Sequence, residues 1–213
     1  MLVFLLPLIV FYEFTSMTRP ERVIAFELLR RFFELFGQIG VWSPGLAVIA
    51  ILLASHAASG GRWQVHWRKV GGMYVESAVL ALPLLLLNWT VQPTALPGSG
   101  AVIDQLAMGV GAGIYEELVF RLILISLAMM IGADLLRWNR DNVAIAAVVV
   151  SSLTFAAFHH PPMGTEAFDP VRFVFRSVAG AYLAAIFWYR GYGLAAGCHA
   201  AHNVALVALQ QVL

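Results

Sequence analysis

Charge is scarce in this chain. Only 12% of its 213 residues are Asp, Glu, Lys or Arg, against about 25% in an ordinary soluble domain. The formal net charge is +1, which excludes a nucleic-acid-binding protein, since that function requires a clustered basic face. A single cysteine, Cys198, excludes an intrachain disulfide framework and carries no message about redox compartment. Repeated strand-like alternation is missing, and the apolar runs are too long and continuous for membrane barrel strands. Long polar connections are missing as well, so no soluble domain separates from the rest. What is abundant is hydrophobic sequence, at 61% of residues. It is spread over several runs, which predicts an all-α, polytopic membrane helix bundle forming one integral-membrane domain over residues 1–213.

The runs predict about six transmembrane helices, at residues 44–57, 75–91, 101–136, 143–159, 171–189 and 194–213. An N-terminal apolar and amphipathic segment precedes them. Residues 2–14 are apolar, are interrupted by Pro7, and lack the basic start and small-residue cleavage site of a signal peptide. A polar turn is expected at 15–22, around Pro20. Over 23–37, Glu27, Arg30, Arg31 and Glu34 recur at helical spacing, giving an amphipathic helix on the membrane surface or against the bundle. The stretch 101–136 exceeds the length needed to cross a bilayer, about 20 residues, so it should tilt, protrude, or kink near Gly109, Gly111 and Gly113. Basic loops at 60–72 (Arg62, Arg68, Lys69) and 137–142 are expected in the cytoplasm, and 92–100 and 161–169 outside. Arg19, Arg22, Arg30 and Arg31 break that alternation if 44–57 is a simple crossing. The expected location is the cell inner membrane.

Three polar stations interrupt the apolar runs. Glu116, Glu117 and Arg121 share one stretch, where each charge costs about 2.5–3.5 kcal/mol near the bilayer centre. Glu117 and Arg121 are four residues apart, about 40° around a helix, and can pair. Glu116 points about 100° away, toward another helix. The group is either a buried ion-pair lock for helix packing or a held carboxylate beside a free one. His159 closes the next station, one turn after Phe155, which can wall its ring. His160 is the alternative, and both histidines also fit an ordinary helix terminus. His199 and Asn203 are again four apart, with His202 to one side. Such a pair suits holding a carbonyl oxygen as negative charge develops on it. It equally suits interhelical hydrogen bonding, worth about 0.6–2 kcal/mol. Cys198 diverges from its neighbour His199 and reads as a small buried thiol. Glu76, Asp104 and Arg176 stand in no motif and read as interfacial or pairing groups. Glu166 and Asp169 fall in a loop.

In order along the chain, Glu116-Glu117-Leu-Val-Phe-Arg121, Phe155-Ala-Ala-Phe-His159 and His199-Ala-Ala-His-Asn203 match EExxxR, FxxxH and HxxxN. This combination resembles the CPBP family, which contains the type II CAAX prenyl endopeptidases and bacterial Abi-like intramembrane glutamic proteases. The resemblance makes residues 101–213 the catalytic core and leaves 1–100 as helices without an assigned role. It implies that Glu116 and His159 activate water, that His199 and Asn203 form the oxyanion hole, and that Glu117, Arg121 and Phe155 support them. No cofactor is expected. Glu116, His159 and His199 also permit a zinc site, although the chain has no HExxH motif.

The leading expectation is therefore an intramembrane endopeptidase acting on a membrane protein or peptide, CAAX-like and lipidated, within the lipid bilayer and without nucleic acid. The alternatives are a non-proteolytic scaffold or immunity-type protein, a zinc-dependent variant, and a proton-coupled transporter. The lack of an internal repeat weakens the transporter.

Overall fold

Apolar runs in a bilayer must satisfy their own backbone hydrogen bonds, and helices do this segment by segment. The computed structural model describes residues 1–18, 23–34, 43–60, 64–91 and 101–212, and all regular structure among them is helical. Helix α1 spans Leu2–Thr18, four residues past the apolar run. The first part of the predicted turn is helical, and there Thr15 Oγ1 donates to the Phe11 carbonyl (2.8 Å) and Ser16 Oγ to that of Glu13 (2.9 Å), so both hydroxyls are satisfied by the helix's own backbone. The rest of that turn, with Pro20, lies outside the described residues.

Helix α2, Ile24–Glu34, is the amphipathic element. It buries Ala25 and Phe26, and the Phe26 ring stacks edge-on to Tyr12 of α1 and Tyr115. On its polar side Arg30 bonds Glu27 through Nη2 (2.6 Å) and Nε (2.8 Å) and also pairs with Glu34. The Arg30 hydrogen bonds, opposed in part by burial, hold the Glu27 carboxyl down at about 2.

Helix α3 is Ser43–Ala58 and α4 is Trp67–Val91. The basic loop is therefore shorter than expected. Arg68 and Lys69 form the first turn of α4, both being good helix formers, and the helix runs on through Gly71 and Gly72. Arg62 and the loop 92–100 lie outside the described residues. Helix α5, Val102–Glu117, continues as a π-helical stretch, Leu118–Ile125, the short α6, Ser126–Ala128, and a second π-helical stretch, Met129–Leu135. Helices α7, Arg140–Ala157, and α8, Pro170–Arg190, are joined by a folded loop; α9 is Tyr192–Gln210. Helix α7 stops two residues short of His159, so that histidine sits on the following turn.

Among the described residues, four helices are long and apolar enough to cross a membrane: Trp67–Val91, Val102–Leu135, Arg140–Ala157 and Pro170–Arg190. Two of the six expected spans are outside that set. Residues Pro44–Ala58 form a shorter apolar helix. Helix α9 carries His199, His202 and Asn203, which dilute its apolar character. Yet α9 is the central post, buried throughout 192–200 and packed on α4, α5 and α8. Its polar groups face protein rather than lipid.

Close approach to α9 depends on small residues. A Cβ on Gly113 would lie 2.6 Å from the Ala200 nitrogen and 2.8 Å from the Ala196 oxygen; one on Gly109 would lie 2.9 Å from Asn203 Cβ. Of the alternatives for the long stretch, a break in the helix at these glycines is not what is seen. The helix stays α-helical to Glu117, and the glycines serve packing instead.

Candidate active site

The irregular backbone starts immediately after the paired glutamates. A π-helical stretch redirects carbonyls out of the normal ladder, and such segments recur at functional sites. Ser151 of α7 donates its hydroxyl to the Phe120 carbonyl (2.7 Å), and Tyr192 donates to that of Ile114 (2.9 Å). Phe120 meets Phe155 and Phe158 edge-on at 5.6 and 5.2 Å, locking the π-helical stretch to the end of α7.

Glu117 and Arg121 both have fully buried side chains and pair at 3.1 Å between Oε1 and Nη1. The contact is an ion pair rather than an aligned hydrogen bond, since Nη1 has no hydrogen-bond partner. Arg121 Nη2 donates to the Gly180 carbonyl of α8 (3.1 Å), and the guanidinium stacks 4.4 Å over the Phe155 ring. The same Glu117 oxygen meets Nδ1 of His199 at 2.9 Å. Glu117 thus joins the first station to the third, a contact that no sequence spacing reveals because it depends on the approach of α5 to α9.

Glu116 faces the other way, as a neighbouring helix position should. Its Oε2 stands 3.9 Å from Nε2 of His159 and 3.9 Å from Nε2 of His199. His159 is oriented by the Phe155 carbonyl, 2.9 Å from its Nδ1, and the Phe155 ring lies edge-on to both histidines. Of the two adjacent histidines it is His159 that approaches Glu116. His160 turns into the loop, with Nδ1 3.2 Å from the Glu166 carbonyl and its ring against Phe168. Asn203 lies one turn beyond His199 and donates from Nδ2 to the Gly109 carbonyl (3.2 Å). It is anchored to α5 rather than bonded to Glu116 or His159. His202 is buried on the same helix, and its Nδ1 has no hydrogen-bond partner among the described residues. Cys198 is buried in the apolar contact of α9 with α4 and α8. Among the described residues, no group of three or more His, Cys, Asp or Glu side chains is arranged to hold a metal ion.

A family model, type II CAAX prenyl endopeptidase Rce1-like, matches residues 98–205, just over half of the chain and all three motifs. The chain belongs to this family. No curated protein and no solved structure matches it. For a member of the CAAX endopeptidase family, this architecture means a multi-pass membrane protein whose family implies CAAX-type intramembrane protease activity on a membrane-associated protein substrate.

Where the matched segment meets the N-terminal helices, two features of this CAAX endopeptidase relative were not legible in the sequence. Tyr115, next to Glu116, donates a hydrogen bond to the buried carboxylate of Glu13 on α1. A cleft of about 760 Å³ opens between α2 (Ile24, Leu28, Arg31) and the turn carrying Phe158, Pro162 and Met163. That brings α2 beside the residues flanking His159.

Proposed function

We propose that this chain is a glutamic-type intramembrane endopeptidase that hydrolyses a peptide bond of a membrane-associated, CAAX-like lipidated protein. One observation carries the reading: a buried carboxylate oxygen of Glu116 stands 3.9 Å from the Nε2 atoms of both His159 and His199. That separation is too long for a direct hydrogen bond and suits a single bridging water. In the proposed reaction Glu116 removes a proton from that water while His159 orients it, and the water oxygen bonds to the scissile carbonyl carbon. The tetrahedral intermediate then expels the amine, which takes the proton from Glu116, leaving a new carboxylate and a new amine. His199 and Asn203 hold the oxyanion. The contact of His199 Nδ1 with Glu117 (2.9 Å) fixes the ring so that Nε2 faces the proposed oxyanion. Asn203 keeps its second amide proton beyond the one given to Gly109. Glu117, Arg121 and Phe155 orient the reacting groups. The proposed location is the cell inner membrane.

No step uses a metal ion, so a chelator should leave turnover unchanged. Loss on chelation with recovery on adding zinc would instead make Glu116, His159 and His199 ligands. Glu116→Gln should keep its thermal transition and lose about 10²–10⁴-fold in turnover; wild-type turnover by this variant refutes the assignment. The fully buried Glu117–Arg121 pair also fits a non-proteolytic scaffold. For a scaffold, Glu116→Gln and His159→Ala would lose stability together with function.

A further inference from the structure

His159 lies beyond the last helical residue of α7, so the helical ladder does not fix it. Its amide reaches only the Ala156 carbonyl, at 3.4 Å. We propose that Glu166, in the loop between α7 and α8, is a positioning residue that clasps the His159 turn onto α8. The inference rests on the peptidase reading for its kinetic consequence and on geometry for everything else.

Glu166 touches this turn in two ways and α8 in a third. Its backbone N–H donates to the His159 carbonyl (3.3 Å), which is one of the carbonyls a helix end leaves without a partner. Its own carbonyl meets His160 Nδ1 at 3.2 Å. Its carboxylate accepts from Arg176 Nη2 (2.7 Å) and Arg172 Nη1 (3.3 Å), both on α8. The loop folds back so closely that a Cβ on Gly164 would lie 2.1 Å from the His159 carbonyl oxygen. Only glycine fits there.

The far end of the clasp is itself anchored to the site. Arg176 lies one turn before Gly180, whose carbonyl holds Arg121. Gly180 is pressed against α7, since a Cβ there would lie 3.1 Å from Ser152 Cα and 3.3 Å from Phe155 Cδ1. Glu166 therefore ties the backbone of His159 to the helix that also holds the Arg121–Glu117 pair. Burial pushes the Glu166 carboxyl up, but the Arg176 hydrogen bond and charge, with help from Arg172, bring it below its usual range, so it stays ionised at neutral pH. The Arg176 side chain is 18% exposed and that of Glu166 38%, so solvent screens the pair in part and the two backbone contacts of Glu166 carry the rest of the clasp.

The test compares wild type, Glu166→Gln, Glu166→Asp, Arg176→Gln and the Glu166→Gln/Arg176→Gln double variant in detergent. Three measurements are made on each: thermal transition, turnover of a quenched-fluorescent peptide bearing a prenylated cysteine, and the imidazole ¹⁵N resonances of His159, assigned with His159→Gln. Glu166→Gln should shift the His159 resonances and lower kcat about 10- to 100-fold, the scale of a small misplacement of a reacting group. KM should stay within about threefold of wild type, as expected for a transition-state effect. Glu166→Asp should restore part of kcat, and the double variant should be no worse than either single, as for partners in one interaction. Unchanged His159 resonances in Glu166→Gln overturn the clasp, as does a double variant whose losses multiply. Shifted resonances in a protein whose wild type cleaves no peptide uphold the clasp and count against the peptidase reading alone.

Discussion

At the scale of single residues, burial separates the two adjacent glutamates into different tasks. Glu117 has no exposed side-chain surface and is held by Arg121 and His199; Glu116 stands 3.9 Å from a nitrogen of His159 and of His199. Removing one partner of a buried ion pair leaves the other charge stranded, at a cost of about 3–5 kcal/mol. Arg121→Met should therefore unfold well below wild type in a detergent thermal melt, whereas Glu116→Gln should melt with it. The spacing of Glu117 and Arg121 was readable in the sequence because i, i+4 neighbours meet on any helix. The Glu117–His199 contact was not, since it joins residues 82 apart on helices whose rotation is set by packing. Asn203 shows the same divide: its register with His199 follows from spacing, but its bond to the Gly109 carbonyl follows from how closely α5 and α9 approach.

At the scale of elements, hydrophobic runs located the helices well and their ends poorly. Helix α4 begins at Trp67 rather than near residue 75 because Arg68 and Lys69 extend a helix as readily as they would a loop. Nothing in Leu118-Val-Phe-Arg-Leu-Ile-Leu-Ile announces a π-helical stretch; its freed backbone groups are met by Ser151 from another helix. The glycines of α5 stood in the sequence as one place where the long stretch could bend; the structure shows Gly109 and Gly113 as a packing seam against α9. Gly113→Val tests the seam. Its side chain would meet backbone atoms of Ala200 and Ala196 that cannot rotate away, so α9 must retreat. The expected cost is about 1–3 kcal/mol, measured by thermal melt, with turnover falling as His199 withdraws from Glu116. Gly71→Ala, on α4 with nothing within 4 Å of the added Cβ, should be neutral or slightly stabilising.

At the scale of the whole molecule, the N-terminal helices are bound to the matched segment through Tyr115. Its phenol meets Glu13 of α1, and its ring packs on Tyr12 and Phe26. Tyr115→Phe keeps the ring contacts and removes one donor from a buried carboxylate, which should cost about 1–3 kcal/mol. A thermal melt reads this directly, and an unchanged transition would mean that the helices before residue 100 dock without this bond. The sequence by itself determined the membrane helix bundle, the family and the identity of the three polar stations, because composition and residue spacing are local properties that survive without a fold. Only the tertiary structure decided which histidine approaches Glu116, that Glu117 bridges Arg121 to His199, and that Glu166 holds the turn of His159. Those depend on how helices far apart in the chain rotate and close against each other, and steric fit at positions such as Gly113 and Gly180 sets that, not the pattern of any one segment.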